Sequence, residues 1–174
     1  MPSNELNITL ILDYIGVLSP TILFITSVFL LQNRTNYLKF YILGLLSNTS
    51  INYILKNIIK EPRPSSSSRI LEIAIANNKF IEHDKFGMPS FHAQGCGFEL
   101  AFITLVFKNS FITASYIVIT MLSLFQRYKY SNHTILQLVV GLFIGMGIGY
   151  LFYSIGKNYI KGNIKMKPDD DFFR

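Results

Sequence analysis

Six side chains in this sequence are of the kinds that handle phosphate: Lys56, Arg63, Ser90, His92, Arg127 and His133. They fall into three short groups, Lys56-x6-Arg63-Pro64, Pro89-Ser90-Phe91-His92 and Arg127-x5-His133. Three fixed cations suit a phosphate dianion or a diphosphate. Arg63 and Arg127 each offer a two-pronged fork, and Lys56 offers a point charge. Ser90 adds a hydroxyl donor, and the start of a helix there would add backbone N–H groups. A neutral imidazole is a good nucleophile toward phosphorus, and a second imidazole can protonate the leaving oxygen. With cations already neutralising the transferring oxygens, no metal is required. Glu61, Glu72, Glu82 and Asp84 stand singly and form no acidic cluster suited to magnesium. Taken one at a time, a lysine or arginine beside an apolar run is usually an anchor, and a lone histidine is usually structural. The set is more telling, because the chain has three histidines and two belong to it. The third, His83, stands beside Asp84 and has no comparable company.

The elements that must position these groups are apolar. Half of the 174 residues are hydrophobic and 15% are charged, against about a quarter in soluble domains. Mean hydropathy is +0.35 and the isoelectric point is near 9.4. This composition excludes a disordered or nucleic-acid-coating protein, although a net charge of +6 alone would attract nucleic acid. The single cysteine, Cys96, excludes a disulfide framework and a multi-cysteine zinc site, and between Gly95 and Gly97 it reads as a packing residue. A bilayer span takes about 20 mostly apolar residues. Five runs answer to that: Ile8 to Leu31, Leu38 to Ile59, Phe91 to Phe107, Phe111 to Gln126 and Thr134 to Ile155. The fold class is therefore all-α, a polytopic transmembrane bundle forming a single domain over residues 1–174. The first residues lack a positive region, so the first span is expected to stay uncleaved.

Five crossings bring the N-terminus, the Lys60 to Pro89 loop and the Arg127 to His133 loop to one face. Residues 32–37, Lys108 to Ser110 and the tail, residues 157–174, share the other. The phosphate-handling groups all lie on the first face, at span ends, where ionisable groups are functional candidates. With those cations set aside, lysine and arginine favour the second face, which points the tail toward the cytoplasm. In the long loop, Pro62 and Pro64 stop a helix. Ser65 to Ser68 read as linker, and Ile70, Leu71, Ile73, Ala74 and Ile75 form an apolar patch suited to an interface. Gly141, Gly145 and Gly149 make a small-residue stripe expected to pack within the bundle. Glu99 sits about 10 Å deeper than His92 on the same helix face. It is expected to be structural, with tuning of His92 through water or a contact to Gln94 as alternatives. Asp13 is placed near the active face without a role. Sequons stand at Asn7, Asn33, Asn48 and Asn132, of which Asn7 alone is placed for glycosylation.

In this order and at these span ends, the three groups resemble the three-part signature of the type 2 phosphatidic acid phosphatase superfamily, over residues 56–64, 89–92 and 127–137. Lys56-Asn57 with Glu61-Pro62-Arg63-Pro64, and Gly87-Met88-Pro89-Ser90 with His92-Ala93-Gln94, are similar to the dolichyldiphosphatase branch. So is His133-Thr134-x-x-Gln137, where most of the superfamily has aspartate in place of Gln137. The resemblance runs from Lys56 to about Gly141. Gln126 and Phe91 depart from it, each replacing a small residue, and are expected to narrow the pocket and bear on substrate choice.

The resemblance implies a haloperoxidase-like helical core and a metal-independent reaction. In it His133 attacks the terminal phosphorus to form a phosphohistidine, and His92 protonates the leaving group and then activates water. Lys56, Arg63, Ser90 and Arg127 hold the phosphoryl oxygens. Gln137 orients His133, since residues four apart share a helix face and an amide oxygen can fix the imidazole tautomer. An amide cannot stabilise an imidazolium as a carboxylate would. The implied substrate is a polyprenyl diphosphate, most like dolichyl diphosphate, whose monophosphate returns to N-glycosylation. The implied place is the endoplasmic reticulum membrane, with a lumenal site, in a eukaryote or in a virus within a host cell. The lipid bilayer is the other expected partner, and nucleic acid is not one. Phosphatidic acid or another lipid phosphate is the alternative substrate. A catalytically silent protein that binds lipid phosphates is the alternative outside enzymes, resting on Gln137. Nothing in the chain fixes an oligomeric state.

Overall fold

The structure, a computed structural model, describes residues 8–64 and 86–163. The Ser65 to Ser68 linker, the apolar patch at residues 70–75, Glu72, Glu82, His83, Asp84, Asn7 and the tail beyond residue 163 lie outside the described residues. Five helices follow one another: α1 (Ile8–Leu31), α2 (Thr35–Ile59), α3 (Phe91–Phe107), α4 (Ser110–Lys129) and α5 (Ile135–Asn163). Two of the five expected spans, α1 and α3, match the observed helices end to end. α4 starts earlier than its hydropathy suggests because the Asn109 side chain caps it, accepting from Ile112 N at 3.0 Å. α5 runs on past Ile155 to Asn163, since Lys157 and Asn158 end the apolar run without breaking the helix.

The segments Ile11–Leu31 and Ile135–Ile160 are long and apolar enough to cross a membrane by length and composition. α3 is apolar but shorter, and α2 and α4 are less apolar because polar residues line their buried faces. Buried positions on α2 are Tyr41, Gly44, Asn48, Asn52 and Lys56, a stripe of helical period. On α4 they are Tyr116, Thr120, Ser123, Gln126 and Arg127. Meanwhile Phe29, Leu46, Ile58, Phe111, Phe125, Phe143 and Tyr150 point outward and are exposed. A surface so rich in large apolar side chains belongs in lipid, and the molecule is a membrane helical bundle.

α3 is the hub. At 17 residues it is the shortest of the described helices, and it packs against α1, α2, α4 and α5. Its tightest partner is α5. A Cβ on Gly141 would lie 2.7 Å from the Ser90 carbonyl oxygen, and one on Gly149 would lie 2.7 Å from that of Phe98. One on Gly145 would come closer still to the carbonyl of Gln94. The glycine stripe thus meets the matching register of α3, within the bundle as expected, so that two backbones approach with no side chain between them. Gly147 faces open space. We therefore expect Gly145→Ala to lower stability by about 2 kcal/mol through overpacking. Gly147→Ala should be neutral or gain up to about 1 kcal/mol of helix propensity. Thermal melting of the two variants in the same detergent checks this difference.

Polar ties cross the interior. Glu99 accepts from Ser27 Oγ and from Tyr41 Oη, each at 2.6 Å, and Ser27 Oγ lies 2.9 Å from Tyr116 Oη. One carboxyl group therefore joins α1, α2 and α3, and reaches α4 through Ser27. Its hydrogen bonds go to Ser27 and Tyr41, an arrangement that ties helices together. Gln94 instead donates to the side chain of Asn48 at 3.0 Å and accepts from Asn52 at 2.8 Å. Cys96 is buried and free. The sequon residues Asn48 and Asn132 are buried and closed to glycosylation.

Candidate active site

Each of the three sequence groups is fixed by a local device. At the end of α2, Lys60 adopts a left-handed conformation that stops the helix. Residues Glu61 to Pro64 then follow outside any helix. Pro62 pairs with Phe86 in an antiparallel bridge, and Gly87 N donates to Glu61 O at 2.7 Å. This short pairing fastens the first group to the second. Ser90 caps α3, its Oγ accepting from Ala93 N at 3.4 Å. Between α4 and α5, Ser131 takes a left-handed conformation and Asn132 N donates to Arg127 O at 3.0 Å. That tight turn carries the chain from Arg127 to His133.

α5 opens with a capping box. Thr134 Oγ1 accepts from Gln137 N, and Gln137 Oε1 accepts from Thr134 N, each at 3.2 Å. Thr134-x-x-Gln137 is the standard pattern for that motif, so the sequence carried this signal although the expectation for Gln137 concerned His133 alone. Both roles are present: His133 Nδ1 lies 3.2 Å from Gln137 Oε1. The other end of the amide, Nε2, donates to Glu61 Oε1 at 2.7 Å and to Pro62 O at 3.0 Å. Two acceptors on one side and a backbone donor on the other fix which end of the amide is which. Nδ1 of His133 facing that oxygen then carries the proton, which puts the ring's basic lone pair on Nε2. Gly87 is packed on this amide so closely that a Cβ there would lie 2.5 Å from Gln137 Oε1.

The six phosphate-handling residues come to this one end of the bundle. Lys56, buried on α2, donates to Phe86 O at 2.9 Å. Arg63 Nη1 reaches Asn132 O at 3.5 Å, beside His133. Ser90 N donates to Gln137 O at 3.1 Å. Arg127 is buried and its Nη2 touches His92 Nε2. The same ring nitrogen lies 3.2 Å from Val17 O on α1. A guanidinium only donates and a carbonyl only accepts, so Nε2 faces Arg127 as the neutral ring and Val17 as the protonated one. A nitrogen set between those partners is suited to taking up and giving back a proton. Ser90 is fully buried, and its oxygen serves the cap; the hydroxyl proton is what it has left for an anion.

α1 buttresses this end, which the sequence had not suggested. Asp13 accepts from Lys129 Nζ at 2.8 Å and bonds Tyr130 Oη, tying α1 to the end of α4. Gly16 lies against the Gln126 side chain. Gln126 and Phe91, expected to narrow the pocket, do not line the cavity at His133. Gln126 is buried against α1, and Phe91 is exposed at the head of α3. That cavity, about 390 Å³, is bounded by Pro64, Tyr128, Ser131, His133, Thr134, Ile135 and Leu136. Tyr128, Ile135 and Leu136 are themselves exposed, so the cavity has an apolar rim at the surface of the bundle. Among the described residues no three His, Cys, Asp or Glu side chains gather as a metal site would need. Of the six phosphate-handling residues His133 alone lines that cavity; the cations and imidazoles gathered at this end of the bundle suit an anion.

A sequence model of the PAP2 superfamily matches residues 37–161. The chain is 28% identical to "Dolichyldiphosphatase 1" of Dictyostelium discoideum over 124 residues, 65% of this chain and 49% of that protein. It is 31% identical to "Dolichyldiphosphatase" of Saccharomyces cerevisiae over 122 residues, 64% of this chain and 48% of that protein. A palmitoyl-protein thioesterase-dolichyl pyrophosphate phosphatase fusion of Schizosaccharomyces pombe is 30% identical over 148 residues, 78% of this chain and 21% of the fusion. The chain thus spans about half the length of the first two relatives. No solved structure matches it. The matched region takes in all three residue groups and the four helices that carry them, and the chain belongs to the PAP2 superfamily.

Proposed function

We propose that this chain is a membrane phosphohydrolase that removes the terminal phosphate of a polyprenyl diphosphate, and that dolichyl diphosphate is its substrate. The observation that carries the reading is the convergence of Lys56, Arg63, Arg127, His92 and His133, from three distant segments, at one end of a membrane bundle. The apolar rim of the cavity at His133 supports a lipid-linked substrate, whose headgroup enters while its tail stays in the bilayer. The names of the relatives supply the choice of tail.

The proposed reaction is the one the resemblance implies, and the placement of His133 beside Gln137 and of His92 beside Arg127 supports it. The Nε2 lone pair of His133 forms an N–P bond as the bridging P–O bond breaks, and that bond's electron pair leaves with the dolichyl monophosphate. A proton on His92 Nε2 passes to the departing oxygen. Water then attacks the phosphohistidine, giving its proton to His92, and the electron pair of the P–N bond returns to His133 as inorganic phosphate departs. Phosphoryl transfer asks the protein mostly for position and charge. Lys56, Arg63 and Arg127 supply charge, and the Ser90 hydroxyl adds a donor. The reading further holds that the released monophosphate returns to N-glycosylation and that, in a eukaryote or a virus within a host cell, the site faces the lumen of the endoplasmic reticulum.

Purified protein in detergent, with EDTA present, should release phosphate from dolichyl diphosphate faster than from phosphatidic acid. EDTA should leave the rate unchanged, because the cations do the neutralising. Faster release from phosphatidic acid would keep the chemistry and overturn the substrate. No release from either by folded protein would favour a protein that only binds lipid phosphates.

A further inference from the structure

The neutral Gln137 leaves a gap in this chemistry. Attack on phosphorus turns the His133 ring into a phosphorylated imidazolium, and an amide carries no charge to balance it. We infer that Glu61 fills the gap as a positioning residue, delivering its negative charge to His133 through the Gln137 amide. This rests on His133 being the nucleophile.

Four observations meet here. Gln137 Nε2 donates to Glu61 Oε1 at 2.7 Å, at the short end of the range for such bonds. The same amide's Oε1 faces His133 Nδ1 at 3.2 Å. Hydrogen bonds in series polarise one another, so a carboxylate drawing on the N–H end makes the carbonyl end a stronger acceptor. The chain also fixes both ends of this relay: Gly87 N holds Glu61 O at 2.7 Å and leaves no room for a side chain over the amide. Gln137 is the hydrogen-bond partner of the Glu61 carboxylate among the described residues. The two residues stand 76 apart in sequence. Glu61 thus does at one remove what an aspartate at position 137 would do directly, while glutamine keeps the capping box intact.

The capping box explains Gln137 without any part for Glu61, so the test must separate charge from structure. Glu61→Gln keeps an oxygen for the Gln137 N–H and removes only the charge. Kinetics on dolichyl diphosphate should show kcat lowered about 10- to 100-fold, with KM and the melting temperature near wild type. The exchange variant Glu61→Gln with Gln137→Glu moves the carboxylate onto His133 Nδ1 and keeps a capping residue at position 137; it should recover most of the lost kcat. An unchanged kcat in Glu61→Gln, or a loss the exchange does not repair, overturns the inference. The rate at which diethyl pyrocarbonate modifies His133, read by mass spectrometry, gives the same comparison without turnover. It should fall in Glu61→Gln and rise again in the exchange variant, and equal rates in all three proteins count against the relay. Turnover retained in His133→Ala would instead defeat the proposed function, a result the Glu61 and Gln137 variants cannot mimic.

Discussion

Replacing His133 with alanine is expected to lower phosphate release by about 10⁴-fold or more, because in the proposed reaction it removes the atom that bonds to phosphorus. The fold should survive. His133 precedes α5, and the capping box that starts the helix is made by Thr134 and Gln137 without it. Binding should survive as well, since Lys56, Arg63 and Arg127 stay in place. A product-like lipid monophosphate should therefore still compete for the site in the variant. Loss of turnover with retained binding separates a nucleophile from a residue that shapes the pocket. Equal loss of both would mean that His133 holds the site together.

Arg127→Ala is expected to lower kcat/KM on the order of 10³-fold, for two reasons that act together. It removes a buried cation from the developing charge, and it frees His92, whose Nε2 the guanidinium touches. Arg127→Lys should restore only part of this loss. The ammonium keeps the charge but lacks the planar fork that can hold a phosphoryl oxygen and His92 together. Rates for the three proteins, with a melting curve for each, check the order wild type, then lysine, then alanine. Full activity in Arg127→Lys would reduce Arg127 to a point charge.

Much of this arrangement was legible in the sequence. α1 and α3 are apolar to their ends, so hydropathy alone placed Ile8–Leu31 and Phe91–Phe107. The glycine stripe on α5 was legible because its period of four is local, and it meets α3 in step with Ser90, Gln94 and Phe98. Local signals were also passed over. Asn48, Asn52 and Lys56 share one face of α2, and Thr134-x-x-Gln137 spells a capping box.

Glu61 is a different matter. Its link to Gln137 depends on the pairing of Pro62 with Phe86 and on the seat that Gly87 leaves for the amide. No periodicity or spacing encodes such a closure between distant segments. The part played by α1 was hidden for a similar reason. Val17 acts through a backbone carbonyl, which any residue could supply, and Asp13 finds Lys129 only once α1 lies along α4. At Phe91 and Gln126 spacing could not say which way a side chain points: Phe91 sets its ring edge-on to His92, and Gln126 turns toward Gly16.

The central claim is that His133 takes the phosphoryl group. The most direct test uses dolichyl diphosphate radiolabelled at its terminal phosphate, mixed with the enzyme and quenched with alkali within a turnover. A phosphorylated imidazole survives alkali and is lost in acid. We predict a label with that stability on the peptide carrying His133 in the wild type, and none in His133→Ala. Acid-stable label on another residue, or label retained in His133→Ala, would contradict the account.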